Sequence, residues 1–315
     1  MTISLRNAQH ADAPQIAEIV NQIDPDPVTP DQVNEWADNV PEGGIYTRMV
    51  ALDGDRVVGW GNDTWFPWHK PGKHSVYVAV HPEARNRGAG AALAEALEAS
   101  AREHGATEVT TDVRETEAFS VRFAEARGYR RDRHMFDSVL DVATFDDEAF
   151  AGVMEGLTAS GIRFARYDEL PPGEETDRKI YAVYAGSVPD IPGNDAAAFR
   201  PFDVWRKDAV SGATFWPDCF SVALDGDRVV GVTSMEWIEA TGTMINRLTG
   251  VLKEYRGRQI ALALKLHTLE AARRYGAAKI RTFNDADNRP MLAINRKMGF
   301  QPEPGFYVMR KDVNA

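Results

Sequence analysis

Apolar and polar residues follow one another along the chain in blocks that predict strands and helices in turn. Short β-branched runs such as VYVAV are typical of strands. In IALALKLHTLEAA, Leu262, Leu266 and Leu269 recur at the spacing of one helix face. Gly105 and Gly276 follow such helical segments and predict where those helices end. Strands that alternate with helices in this way indicate a mixed α/β fold.

One hairpin segment, ALDGDRVVG, occurs twice, at 51–59 and at 223–231. In each copy apolar residues flank an Asp-Gly pair, which is typical of a tight β-turn. The sequence after the hairpin also repeats when Arg85 is aligned with Arg256. The offset is 172 residues at the hairpin and 171 after it, so one deletion accounts for the difference. Because the register holds over about eighty residues, we conclude that a whole domain occurs twice.

The repeat predicts two tandem α/β domains, each with a central mixed β-sheet flanked by helices. The first domain is assigned to 1–145 and the second to 161–315. The segment 146–160 between them predicts a connecting helix. A chain of 315 residues suits this division, because single cores rarely grow beyond about 250–300 residues.

Composition excludes several classes of function. The net charge of −11 disfavours nucleic-acid binding, which needs a basic face to neutralise phosphates. No segment resembles a signal peptide or is long and apolar enough to span a membrane, so we expect no membrane partner. Cys219 is the single cysteine, which precludes an intrachain disulfide and fits a reducing, cytoplasmic location. The acidic balance favours a cationic, amine-bearing ligand.

Between a strand and a helix, the first copy contains the loop Arg85-Asn86-Arg87-Gly88-Ala89-Gly90. Backbone amides at such a turn, together with the helix dipole, favour an anion such as a diphosphate. The loop does not match the nucleoside triphosphate motif or the dinucleotide-binding motif. Since glycine also occurs at helix starts for packing reasons, the loop alone leaves both interpretations open.

The loop resembles the signature of the GNAT superfamily of N-acetyltransferases. That signature is Gln or Arg, two residues, Gly, one residue, then Gly or Ala, after a strand that contains valines. In both copies a Gly-aromatic pair, Gly128-Tyr129 or Gly299-Phe300, follows the arginine by 43 residues, consistent with a second motif of the family. The tandem arrangement is similar to that of mycothiol synthase, from which we carry over only the architecture.

The resemblance implies acetyl-CoA as co-substrate and no metal. The loop amides would hold the pyrophosphate, and the backbone of the preceding strand would hold the pantetheine. The residues implied are, in the first copy, Val78, Val80, Arg85, Asn86, Arg87, Gly88, Ala89 and Gly90, and in the second, Thr249, Val251, Arg256, Gly257, Arg258, Gln259, Ile260, Ala261 and Asn288.

The two copies depart from the family pattern in different places. Gln259 stands where the first copy has Gly88, and a side chain there could crowd the diphosphate. The second copy keeps more polar residues in the region before its Gly-aromatic pair, Asn288 among them. The sequence therefore leaves open which copy is active.

The resemblance also directs attention to acid and base positions. A carboxylate base is often found about eleven residues before the motif arginine, where this chain has His74 and, in the second copy, Ile245. Glu236 is the nearest carboxylate on a neighbouring strand of the second copy. The usual tyrosine acid, four residues before the Gly-aromatic pair, is replaced by Ala124 and Asn295. Both base candidates also have plainer interpretations, an exposed hairpin histidine and a solvated strand-face glutamate.

Two hypotheses of function follow. The first is an acyl-CoA-dependent N-acetyltransferase, with acetyl transferred by direct attack to an amine of a small molecule or peptide, and with one copy catalytic. The second is an acyl-CoA-binding sensor or scaffold without turnover, which the missing tyrosines favour. Steady release of CoA in the presence of an amine distinguishes them.

Overall fold

A computed structural model of the chain describes residues 3–24, 27–194, 199–212 and 215–313. The repeated hairpin is formed as predicted in both copies. Its two strands are joined at Asp53–Arg56 and at Asp225–Arg228. Gly54 and Gly226 take φ values of +63° and +57°, a conformation that costs glycine little and explains the Asp-Gly pair.

The first copy supplies strands and helices in the predicted alternation. They are β1 (Ile3–Asn7), α1 (Ala13–Asn21), α2 (Pro30–Asp38), β2 (Ile45–Asp53), β3 (Arg56–Trp65), β4 (Lys73–Val80), α3 (Ala89–Glu103), β5 (Glu108–Arg114), α4 (Ala118–Glu125) and β6 (Arg130–Asp141).

The second copy follows the same order, with one additional helix at its start and one additional two-residue strand before its last strand. Its elements are α5 (Val153–Ala159), β7 (Ile162–Arg166), α6 (Glu174–Ser187), α7 (Phe202–Ala209), β8 (Phe220–Asp225), β9 (Arg228–Ile238), β10 (Thr243–Val251), α8 (Ile260–Arg274), β11 (Lys279–Asp285), α9 (Arg289–Lys297), β12 (Gln301–Pro302) and β13 (Phe306–Asp312).

The chain forms two compact units, Met1–Asp132 with Phe306–Ala315, and Arg133–Gly305. In the first unit the strand order is β1-β2-β3-β4-β5-β13. Only β4 and β5 are parallel, and the other neighbours are antiparallel. The second unit has the equivalent order β7-β8-β9-β10-β11-β6, again with one parallel pair, β10 and β11. The predicted mixed α/β fold is confirmed.

Each sheet has a helix-covered apolar core on both faces. In the first unit Leu93 and Leu97 of α3 are fully buried on one face, while Ile16 of α1 is fully buried on the other. In the second unit α8 and α6 take the same places, with Leu264 and Ile180 fully buried. The loop before α3 or α8 is therefore fixed at the end of a central strand.

The units differ from the predicted domains 1–145 and 161–315 in the last strand of each. β13 pairs with β5 of the first unit, and β6 pairs along Met135–Asp141 with β11 of the second. The predicted connecting helix over 146–160 is shorter, Val153–Ala159, and Leu157 packs into the core of the second unit. A repeat shows which segments are equivalent, but it does not show which copy each final strand pairs with.

Candidate functional site

In each unit the two parallel strands pair only over a short stretch and then diverge. In the first unit the paired residues are Lys73–Ser75 with Glu108–Thr110, although β4 continues to Val80. In the second they are Thr243–Asn246 with Lys279–Thr282, although β10 continues to Val251. Strand edges that stop pairing expose backbone N–H and C=O groups. Each divergence therefore offers hydrogen-bonding edges to an extended ligand.

A loop with the same backbone conformation follows β4 and β10. The φ angle is +64° at Asn86 and +91° at Gly88, and it is +78° at Gly257 and +64° at Gln259. Gly88 and Gln259 are the N-cap residues of α3 and α8. The first amides of a helix have no partner within it, so both loops present N–H groups at the positive end of a helix dipole. Gln259 thus departs from the pattern in sequence but not in backbone conformation.

Some of the predicted loop residues hold the loop in place, and others leave free space beside its amides. Arg85 Nε donates to Val80 O (3.4 Å), and Arg256 Nε donates to Val251 O (3.0 Å), so each arginine ties the loop to its strand. Ala89 and Ile260 are buried and contribute backbone amides alone. A Cβ at Gly88 would meet no atom within 4 Å. The donor set and the open space fit a diphosphate such as that of acetyl-CoA.

Four of the remaining residues predicted to hold acetyl-CoA lie on the diverging strands. Val78 and Val80 lie on the diverging part of β4, and Thr249 and Val251 on that of β10. Asn288 is the N-cap of α9, where its side-chain oxygen accepts from Met291 N (3.4 Å). The structure gives Asn288 a capping contact.

A β-bulge distinguishes the second unit. The pairing of β9 with β10 shifts between Asn246 and Leu248, so Arg247 is an additional residue in its strand. In the first unit β3 and β4 pair in an unbroken register from Gly59–Val80 to Thr64–Ser75. The bulge lies where β10 stops pairing with β11. Bulges re-aim backbone and side chains next to active sites.

Glu236 lies beside this bulge. It is 7% exposed and pairs across β9 and β10 with Ile245. Arg247 Nε donates to Glu236 Oε2 (2.6 Å), and a second guanidinium nitrogen contacts the same oxygen. The glutamate is therefore buried and ion-paired, not a solvated strand-face residue.

Asn246 is the centre of a buried polar cluster at the second divergence. Its Nδ2 donates to Ser234 O (3.1 Å) of β9 and Leu248 O (3.2 Å) of β10, the first residues that pair after the bulge. Lys265 Nζ donates to Asn246 Oδ1 (2.7 Å) and lies 5.1 Å from the centre of the Phe300 ring. The cluster fixes the bulge from the side of α8.

Lys265 is buried, and its Nζ makes no hydrogen bond to a carboxylate among the described residues. Desolvation lowers the pKa of its amine to about 7, because burial disfavours the charged form. The sequence places this lysine inside the apolar stripe of IALALKLHTLEAA. A lysine among apolar helix residues is the sequence signal that could have indicated its burial.

Burial of Lys265 predicts a pH dependence of stability. Its pKa is about 7 when folded and 10.5 when unfolded, so between these values the unfolded chain binds the additional proton. The stability of the wild type relative to Lys265→Met is therefore expected to rise as the pH increases from 7, by up to about 1.4 kcal/mol per pH unit. Denaturant unfolding of both proteins at several pH values measures this difference. A difference that is flat or falls with pH contradicts it.

Asn295 occupies the position where the resemblance expects a tyrosine. Its Nδ2 donates to Asn284 Oδ1 (2.6 Å), and Asn284 Nδ2 donates to Ser138 Oγ (2.8 Å). Asn295 is 1% exposed, and its Oδ1 finds no hydrogen-bond partner among the described residues. A buried acceptor without a hydrogen-bond partner is costly, and Asn295 Oδ1 is such an acceptor among the described residues.

His74 lies in the paired segment of β4, outside the diverging part. It is 2% exposed, and its Nδ1 lies 2.7 Å from Asp63 Oδ1. Ser100 Oγ of α3 donates to the other carboxylate oxygen (3.3 Å), and the Trp65 ring stacks on the imidazole. The histidine is therefore a buried, partnered residue and not an exposed hairpin one.

Two tryptophans that could line a pocket instead belong to the cores. Trp60 is buried in the first unit and Trp205 in the second. Within 3–24, 27–194, 199–212 and 215–313, no group of three His, Cys, Asp or Glu side chains is arranged to hold a metal. No helix in the same ranges is long and apolar enough to cross a membrane.

Comparison with known proteins identifies relatives of both units. The family model described as the acetyltransferase (GNAT) family matches residues 13–129 and 189–300. The chain is 24% identical over 286 residues to the mycothiol acetyltransferase of Corynebacterium glutamicum, covering 88% of this chain and 86% of that protein. It is 31% identical over 88 residues to N-alpha-acetyltransferase 30 of Schizosaccharomyces pombe, covering 27% of this chain but 59% of that protein.

Solved structures share the fold of the whole chain. A tandem GNAT protein from the clavulanic acid biosynthesis pathway superimposes with a TM-score of 0.76 at 20% identity, covering 100% of this chain and 99% of its own. A GCN5-related N-acetyltransferase from Sphaerobacter thermophilus gives 0.71 at 20% identity, covering 99% and 96%. At this identity the likeness establishes the fold.

Proposed function

The chain belongs to the acetyltransferase (GNAT) family, and on that premise we propose that it transfers acetyl from acetyl-CoA to an amine of a small molecule or peptide. The observation that carries the proposal is the divergence of two parallel strands beside a loop that leads into a helix N-terminus, present in both units. An elongated ligand with a diphosphate at one end matches this combination of strand edge and helix N-terminus.

Acetyl-CoA, when bound, supplies the activated thioester. The amides around Gly88 or Gln259 would hold its diphosphate, and the free edge of β4 or β10 would bind the pantetheine amides. Arg85 and Arg256 keep these elements in place through their hydrogen bonds to Val80 O and Val251 O.

We assign the chemistry to the second unit. The bulge at Arg247 takes a residue out of the β9–β10 ladder at the divergence, so a main-chain N–H there is available to a developing oxyanion. Glu236 is the neighbouring base and accepts the proton that the amine nitrogen loses as it bonds to the acetyl carbon. In the first unit the unbroken register of β3 with β4 lacks this arrangement.

The alternative, a binding protein without turnover, is favoured by one observation. Ala124 and Asn295 occupy the two positions at which an acidic tyrosine hydroxyl was expected. Positioned acids and bases contribute about 10²- to 10⁴-fold, whereas alignment of reactants contributes effective molarities of about 10⁵ to 10⁸ M. Loss of the tyrosine therefore slows an acetyltransferase without abolishing it.

Matched loop variants test acetyl-CoA binding. Gly88→Asp and Gln259→Asp are each expected to weaken binding at their own loop by about 10- to 100-fold, because like charges at about 4 Å repel by up to about 4 kcal/mol near a surface. Gly88→Asn and Gln259→Asn have the same size without the charge and are expected to bind at least tenfold more tightly than the Asp variants. Titration calorimetry with acetyl-CoA measures all four.

Comparison of acetyl-CoA binding by the loop variants also shows which loop binds it. Two binding events in the wild type, each weakened by its own Asp variant, place acetyl-CoA at both loops. A wild type that binds no acetyl-CoA contradicts the proposal, and binding without CoA release in the presence of amines favours the sensor.

A further inference from the structure

One cationic side chain lies at the second divergence with no role in the function proposed so far. Lys265 Nζ is one hydrogen bond from Asn246, the last residue of β10 that pairs with β11. Thr282 of β11 donates its hydroxyl to Asn246 O (3.2 Å), so both strands meet at this residue. The lysine therefore lies at the point from which the gap opens. The first unit has Ala94 at the position 171 residues earlier.

The surroundings of Lys265 are polar but neutral. Asn246 Oδ1 accepts from the amine, and Thr249 Oγ1 donates to the same oxygen (3.2 Å). Phe300 presents its ring to the Nζ atom, a contact that stabilises a cation. The lysine is 4% exposed, which rules out a role as an ordinary surface charge.

Charged side chains on the strands near Lys265 interact with partners other than its amine. Glu236 of β9 pairs with Arg247 of β10, and Asp285 of β11 pairs with Arg133 of β6. The Arg281 guanidinium lies 5.5 Å from the Phe283 ring. Desolvation is accordingly the one cause that acts on the pKa of Lys265, which lies close to neutrality.

A second buried polar group, on the helix beside β11, has an unused acceptor. Asn295 of α9 is held by Asn284 of β11, and β11 forms the other wall of the divergence. Its buried Oδ1 has no partner among the described residues. Lys265 of α8 is thus a proton donor bonded to β10, and Asn295 of α9 carries an unused acceptor beside β11, a combination that suits a ligand with both an anionic atom and an N–H group.

We propose that Lys265 is the acid of the second unit, stabilising the thiolate that leaves when acetyl is transferred and giving it a proton. The inference rests on the proposed function, and it replaces the tyrosine missing at position 295. Lysine suits the task because its ammonium carries both the opposite charge and the proton.

The amine nitrogen bonds to the acetyl carbon and loses one proton to Glu236, while the carbon–sulfur bond breaks and its electron pair stays on sulfur. Lys265 as ammonium gives one proton to this sulfur and becomes neutral. The proton on Glu236 returns to Lys265 through solvent, which restores both groups.

Free CoA provides a test that needs no acceptor. In a Gly88→Asp background, so that the second loop alone is intact, CoA is bound and the ultraviolet absorbance of its thiolate is followed against pH, with desulfo-CoA as blank. An ordinary thiol ionises with a pKa of about 8.5. An ammonium within about 4–6 Å is expected to lower this by 1 unit or more, giving about tenfold more thiolate at pH 7.

Lys265→Met is expected to return the ionisation of bound CoA to that of free CoA, and Lys297→Met, an exposed lysine of α9, is expected to leave it lowered. The same ionisation in the Gly88→Asp protein and its Lys265→Met derivative overturns the inference. If the Lys265→Met variant fails to fold, Lys265→Gln replaces it in the same measurement. If neither folds, the Gly88→Asp protein decides alone, and a bound thiol that ionises like free CoA overturns the inference. Absence of CoA binding in Gly88→Asp and wild type alike refutes the proposed function instead.

Discussion

Glu236→Gln is expected to lower kcat/KM for amine acetylation by about 10²- to 10⁴-fold at neutral pH. Glutamine keeps the size of the side chain and an oxygen that accepts from Arg247 Nε, but it does not take a proton from the attacking amine. The measurement is steady-state release of CoA from acetyl-CoA with an aliphatic diamine, an amino sugar and a peptide with a free amino terminus as acceptors.

A nearby carboxylate provides the matched control. Glu239, in the connection after β9, is exposed, so Glu239→Gln changes the net charge equally and is expected to leave the rate within about twofold. The affinity for acetyl-CoA should be the same in both variants, because the loop before α8 is unchanged. A Glu236→Gln enzyme that keeps at least a third of the wild-type rate would show that the base lies elsewhere.

The fold could be read from the sequence because the repeat and the local patterns agree. The Asp-Gly hairpins, the strands after them and the glycines that end α3 and α8 are all in place. The exchange of the last strands was not predictable. FDSVLDV and FYVMRKD are both seven-residue segments that begin with phenylalanine, and neither contains a local signal for which strand, β5 or β11, it pairs with.

The candidate site was predictable in part. The loop motif located the amides of both helices, although it overstated the departure at Gln259, whose backbone repeats the conformation of Gly88. The bulge at Arg247 and the cluster around Asn246 were missed, since a bulge adds one residue without a pattern of its own. Lys265 was visible as a lysine in an apolar stripe, but its partner is distant in sequence.

The bulge also changes which residues are equivalent. His74 pairs with Val109 of β5, and the strand residue with the corresponding partner, Ile280 of β11, is Met244. The alignment by sequence offset places Ile245 there instead. Because Arg247 adds one residue to β10, positions before it shift by one. The second copy consequently has an apolar residue at both positions, and its base must come from the neighbouring strand β9.

Asp63→Ala is expected to lower the free energy of unfolding by about 3–5 kcal/mol, the cost of removing one partner from a buried pair. Asp63 is 0% exposed and accepts from Ser100 Oγ, and its other oxygen lies 2.7 Å from His74 Nδ1. Without the carboxylate these two side chains lose their acceptor beneath α3. Denaturant unfolding followed by circular dichroism measures the change.

Graded variants separate a structural role of this pair from a catalytic one. Asp63→Asn keeps an oxygen for His74 and should cost less than Asp63→Ala, and Glu95→Gln on the exposed face of α3 should stay within about 0.5 kcal/mol of the wild type. Because His74 lies in the paired segment of β4, its loss is expected to act through stability, with the rate per folded molecule retained. A His74→Gln protein of wild-type stability but at least 100-fold lower activity would transfer the role of base from Glu236 to His74.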